Sequence, residues 1–274
     1  MYRLDLPLPA NQRAVIDRFG AACEADGRVL AAFLGGSYAR GEADAYSDLD
    51  FGLITANDAY EDFLAGRESF IRRLGDPVFL ESFDRPHIHF FILADGTECE
   101  LAVGREGDFR QIHAGPYQVL LDKSGILRDV AFDRPQVDRA EQTESLRCLV
   151  AWFWHDLSHF IGAVGRGQLW WAQGQLEILR LVCVNLARLD EDFSAAANGY
   201  EKVEKAVPPE RLSPLEATVC ALERDAMLQA AVAVVRFYRE MARPLSRAHG
   251  IPYPDRLDRI MSERLEALRG GRAA

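Results

Sequence analysis

No stretch of this 274-residue chain approaches the roughly 20 consecutive apolar residues that cross a bilayer, so no membrane association is expected. Residues 1–13 lack the apolar core of a secretory signal. Cysteine is sparse: Cys23, Cys99, Cys148, Cys183 and Cys220 are odd in number and never fall in a Cys-x-x-Cys pair. That argues against a disulfide scaffold or a zinc finger, and for reduced thiols in the cytoplasm. Basic residues are also short, 32 against 42 acidic ones, for a net charge of −10. Such a balance repels a phosphate backbone and speaks against general nucleic-acid binding. There is neither an internal repeat nor a low-complexity segment.

What is present is 49% hydrophobic residues, enough for a substantial core and about two domains by length. The acid is uneven: residues 1–140 hold 15 basic and 24 acidic side chains, the remainder 17 and 18. This suits a metal site or a cationic substrate, and equally a solvated surface. Apolar spacing predicts a helix over 9–26 and a buried strand over 29–34, stopped by Gly35-Gly36. Alternation predicts a strand over 48–55. A helix capped by Asn57 and running to about 74 comes next, then strands over 78–83, 87–93 and 98–103. A polar connection, 128–144, separates these from four helices expected over 144–165, 168–190, 214–242 and 255–269. The fold class is therefore α+β: an N-terminal mixed-sheet domain, 1–135, followed by a C-terminal helical bundle, 136–274.

The chemistry concentrates near the end of the first strand. Phe33-Leu34-Gly35-Gly36-Ser37-Tyr38-Ala39-Arg40-Gly41 ends a strand in glycines where a short helix can start, letting backbone N–H groups approach a phosphate while Ser37 adds a hydroxyl. Asp48 and Asp50 flank Leu49, so period two places both carboxylates on one strand face. Adjacent carboxylates repel unless a hard cation bridges them, and Mg²⁺ takes such oxygens together with substrate phosphates. Glu100, bracketed by Cys99 and Leu101, supplies a third acid for one or two Mg²⁺ ions; Glu98 shares its face and competes for the role.

A Gly-Ser loop, a spacer, an Asp-x-Asp strand and a later strand acid resemble the DNA polymerase β-like nucleotidyltransferase superfamily. The wording Gly36-Ser37-x-Ala39-Arg40-Gly41 and Ser47-Asp48-Leu49-Asp50-Phe51 is similar to its small-substrate branch, with the aminoglycoside and lincosamide adenylyltransferases. The motif match covers about 33–103; the helical half is similar in layout only. The resemblance implies that Gly35, Gly36, Ser37 and Arg40 bind the phosphates of ATP or another NTP. It further implies that Asp48, Asp50 and Glu100 hold Mg²⁺, and that a small-molecule hydroxyl, on an aminoglycoside or lincosamide, receives the nucleotide in a cleft between the domains. A cationic acceptor suits the acidic first half. The general base is Glu100 or a helical-domain acid such as Glu177. Other readings are a transferase acting on a protein or RNA partner, in the manner of antitoxin-like adenylyltransferases, and a non-catalytic nucleotide-binding module. Monomer and homodimer are both compatible with the family.

Weaker signals lie elsewhere. His155 and His159, four apart, have a metal-compatible helical spacing but no third ligand in sight. Trp152, Trp154, Trp170 and Trp171 cluster at the start of the bundle, where most indoles pack in a core and some stack on sugars. His87 and His89 read as an ordinary strand pair, and Arg243 with His249 as a faint trace of a ribonuclease-type Arg…His pair.

Overall fold

The computed structural model describes residues 9–132, 137–194 and 198–271. Residues 133–136, within the expected connection, and 1–8, at the N-terminus, lie outside the described residues. The chain divides into two compact units, Met1–Pro135 and Gln136–Ala274, each with its own hydrophobic core.

In the first unit α1 (Ala10–Ala25), β1 (Val29–Leu34), α2 (Gly36–Arg40) and β2 (Leu49–Thr55) come first, then α3 (Tyr60–Ala65) and α4 (Arg67–Arg72). β3 (Pro77–Glu81), β4 (Ile88–Leu93), β5 (Glu98–Arg105) and β6 (Gln118–Asp122) complete a six-stranded sheet ordered β3-β4-β5-β2-β1-β6. Among the described residues only β2 and β5 pair in parallel, so the sheet is mixed. Val15, Phe19 and Cys23 from α1 and Phe63, Phe70 and Leu74 from the α3–α4 region cover one face, with Phe19 stacked on Phe51 at 4.1 Å. A smaller cluster, Phe33, Ile54, Phe109, Leu127 and Phe132, covers part of the other.

In this unit the structure departs from the expectation at three points. The single helix over 57–74 is a 3-10 turn at Asn57–Ala59 followed by α3 and α4, broken at Gly66, a poor helix former. Asn57 makes no N-cap bond; its Oδ1 accepts from Gly107 N–H at 2.9 Å. β6 was absent from the expected strands because its residues are all half-buried and show no alternation. Lys123, just beyond it, donates to the carbonyls of Cys23 and Asp26, both at 2.9 Å, and so ties the strand to the end of α1.

The second unit comprises α5 (Arg139–Gly165), α6 (Leu169–Glu191), α7 (Val203–Ala206), α8 (Pro209–Glu216), α9 (Arg224–Ala248) and α10 (Asp255–Arg269). Trp154, Phe153 and Tyr238 fill its centre, the last two rings stacked at 3.7 Å. The helix expected over 214–242 is two helices. The chain leaves helical form after α8 so that Thr218 can receive the buried Arg180, whose Nε donates to Thr218 Oγ1 at 2.7 Å and Nη2 to its carbonyl at 2.6 Å. α9 then runs on through Pro244. Among the described residues no helix is long and apolar enough to cross a membrane.

Candidate active site

β1 delivers the chain into a pocket of about 170 Å³ lined by Phe33, Gly36, Arg40, Asp50, Glu100 and His113 among others. Gly35 N–H donates to the Asp50 carbonyl at 2.8 Å, locking the loop to β2. Gly36 has φ +55°, and a Cβ there would stand 1.5 Å from Asp50 Oδ2. Only glycine allows both the left-handed backbone and that close approach. At Gly35 a Cβ would lie 2.6 Å from His113 Cε1. The two glycines thus make room for a carboxylate on one side and an imidazole on the other.

Ser37 Oγ is buried without a hydrogen-bond partner, a hydroxyl that a ligand can satisfy. Tyr38, next to it, is buried, and its hydroxyl donates to Gln12 Oε1 at 2.5 Å while Gln12 Nε2 donates to the Ser47 carbonyl at 2.8 Å. Those bonds hold the spacer against α1. Burial, with help from the charge of Asp48, pushes the Tyr38 phenol up to about 12, so it stays protonated. Arg40 is exposed and paired with Glu42 at 2.9 Å, so part of its charge is already met.

The acids are placed by strand register. Asp50 and Glu100 are direct partners across the parallel β2–β5 pair, both half-buried, both lining the pocket. Burial, then the charge of Asp48, pushes the Glu100 carboxyl up, with Arg85 opposing. Asp48 itself is exposed and lies one residue before β2, where its charge acts on Glu100. Glu98 is exposed and pairs with Ile92 of β4, so register sets Glu100, and not Glu98, beside Asp50. Among the described residues no three His, Cys, Asp or Glu side chains stand close enough to hold a metal together. The oxygen donors of Asp50 and Glu100, paired across β2 and β5 and lining one pocket, nevertheless suit a hard divalent cation.

His113 escaped the sequence reading. It is an isolated histidine between β5 and β6, with no motif around it to mark it. Its Nε2 donates to the Pro116 carbonyl at 2.9 Å, an acceptor only, so Nδ1 is the bare nitrogen. Burial lowers its basicity, against the pull of that bond.

Most of the other singled-out residues are engaged elsewhere. Glu177 is ion-paired with Arg180, the side chain that anchors Thr218. His155 and His159 approach each other, Nε2 to Nε2, at 3.2 Å on the exposed side of α5. Trp154 is core, whereas Trp152, Trp170 and Trp171 are exposed. His89 is buried, its Nδ1 2.9 Å from Ser82 Oγ, while His87 is half-buried. Arg243 pairs with Asp255 and Asp258, and His249 stacks on Phe193 at 3.6 Å, so each is otherwise engaged.

Comparison with known proteins adds the following. No curated protein matches the chain. Among solved structures, the crystal structure of an aminoglycoside 6-adenyltransferase from Bacillus subtilis is similar with a TM-score of 0.46 and 14% identity, covering 95% of this chain and 99% of that one; a likeness at this level carries no argument. The family model for streptomycin adenylyltransferase matches residues 11–268, across both units. With its glycine loop and facing acids in place, the chain belongs to the streptomycin adenylyltransferase family and is a nucleotidyltransferase.

Proposed function

We propose that the protein transfers AMP from ATP to a hydroxyl of a cationic aminoglycoside such as streptomycin, with Mg²⁺. The observation that carries this reading is the in-register pair Asp50–Glu100 beside a glycine loop whose Ser37 hydroxyl lacks a partner. The family, adenylyl transferring by its description, supports the donor and the acceptor class.

The Gly36 N–H and the Ser37 hydroxyl bind the outer phosphates, while the Gly35 N–H holds the loop to the Asp50 carbonyl. α2 is a single turn, so its dipole adds little, and the contacts themselves do the binding. Arg40, shared with Glu42, is a secondary phosphate contact. Asp50 and Glu100 would hold Mg²⁺, and Asp48, exposed at the entry to β2, is the acid available to join them. Bound there, the ion neutralises phosphate charge and favours departure of pyrophosphate. Glu100 accepts the proton of the acceptor hydroxyl, and the burial that pushes its carboxyl up favours that role. The hydroxyl oxygen forms a bond to the α-phosphorus as the bond to the β-phosphate bridging oxygen breaks. Glu177, tied to Arg180, serves that role less well.

The test is pyrophosphate release from each of the four NTPs with Mg²⁺ against a panel of aminoglycosides and lincosamides, with Asp50→Asn alongside. Release should require ATP and an aminoglycoside, and Asp50→Asn should lose at least about 100-fold while keeping its fold. Full turnover in Asp50→Asn would sink the metal role of that residue. Labelled AMP appearing on a protein or an RNA, and on no small molecule, would move the assignment to a macromolecular acceptor.

A further inference from the structure

Strand register lays a continuous row of side chains across four strands of the first unit. Glu81 of β3 stands opposite Phe90 of β4, Phe90 opposite Glu100 of β5, and Glu100 opposite Asp50 of β2. Residues directly opposite across strands project to the same face, so the row reads acid, ring, acid, acid. The alternate β4 residues His89, Phe91 and Leu93 are buried on the far face, which leaves Phe90 outside the core.

The ring is not alone. Phe83 lies 5.6 Å from Phe90, and Phe79 lies 6.4 Å from Phe83. Phe83 is 61% exposed and Phe79 42%, an apolar patch kept open beside the acids. Phe83 and Asp84 both hold left-handed backbone, φ +46° and +61°, uncommon for such residues. The Glu81 carboxylate accepts from the N–H groups of Ser82 and Phe83, at 2.8 and 3.2 Å, and these bonds hold its carboxyl below the usual range. The turn therefore presents a ring and a charged carboxylate together.

We propose that Phe83, Phe90 and Glu81 form the acceptor shelf: a cationic, hydroxylated ring lies over the two aromatic faces with its ammonium or guanidinium group at Glu81 and its hydroxyl at Glu100. The inference rests on the transfer reading above. Sheet order supports it. The phosphate loop follows β1, Asp50 is on β2, Glu100 on β5, and the shelf on β4 and β3, in that spatial sequence. In-line displacement at phosphorus needs the attacking oxygen opposite the leaving pyrophosphate, so the acceptor arrives from the side away from the loop. A cation is attracted by both the aromatic faces and the carboxylate. A neutral nucleobase would find a use for the rings and none for Glu81.

The experiment measures streptomycin binding by titration calorimetry to the full chain, to Phe83→Ala and Phe83→Tyr, and to Glu81→Gln, which retains an oxygen for the turn. Steady-state KM values for streptomycin and ATP are read in parallel. Phe83→Ala and Glu81→Gln should weaken streptomycin binding about three- to thirtyfold, Phe83→Tyr should restore it, and KM for ATP should not move. Unchanged streptomycin affinity overturns the shelf, as does a rise in KM for ATP, which would mark a nucleobase platform. Absence of streptomycin binding to the unaltered chain overturns it too. Streptomycin binding that depends on Phe83, without pyrophosphate release from any NTP, would leave the shelf standing and remove the transfer reading instead.

Discussion

At Gly36 the backbone runs left-handed, with the Asp50 carboxylate in the space a methyl group would take. Gly36→Ala must pay about 1–2 kcal/mol for the conformation and must also displace Asp50. Turnover should fall at least about 100-fold, as misplacement of a reacting group by an ångström does, with a lower thermal midpoint. Steady-state pyrophosphate release together with a melting curve checks this, and wild-type activity in the variant would show that the loop is not part of the site. Gly36, Ser37 and Asp50 were legible in the sequence because they lie within one strand–turn–helix–strand passage whose spacing is local. His113 and Glu81 were not, because nothing in their neighbourhood along the chain marks them; each earns its place only through contact with a distant strand or loop. Asp48 stands exposed one residue before β2, within reach of Glu100 by its charge.

Among the elements, the apolar period found most of the helices and strands and misjudged where they break. The α8–α9 interruption is set by Arg180 seeking Thr218, a demand made by another helix and invisible in local propensity. α9 and α10 are joined by Asp258, buried and held by Arg239, Arg243 and the Tyr253 hydroxyl, the last two at 3.0 and 2.8 Å. Burial would push its carboxyl up, but the bonds from Arg239, Tyr253 and Arg243 outweigh that and hold it below the usual range. Asp258→Asn should cost about 2–3 kcal/mol, less than a fully buried pair because both arginines are more than a third exposed. A urea titration reads the loss directly; an unmoved midpoint would mean that the network does not brace the two helices.

For the molecule as a whole, a charge of −10 would attract the proposed cationic acceptor, an effect that salt screens. With ATP saturating, kcat/KM for streptomycin should drop on the order of tenfold between low and 0.5 M salt, roughly the range over which screening acts. A flat profile would show that long-range attraction plays no part in acceptor capture. The α+β class, the sheet unit followed by the helical unit, and the glycine-loop and carboxylate chemistry follow from the sequence by itself, because periodicity and short-range spacing are properties of a local stretch of chain. Which acids face each other was decided only by tertiary structure. Asp50 meets Glu100, and Glu100 meets Phe90 and through it Glu81, by the registers of β2, β5, β4 and β3. A slip of one residue in any of those pairings would send every side chain of that strand to the opposite face, and the alternating pattern of a strand does not say which residue of which partner it will meet.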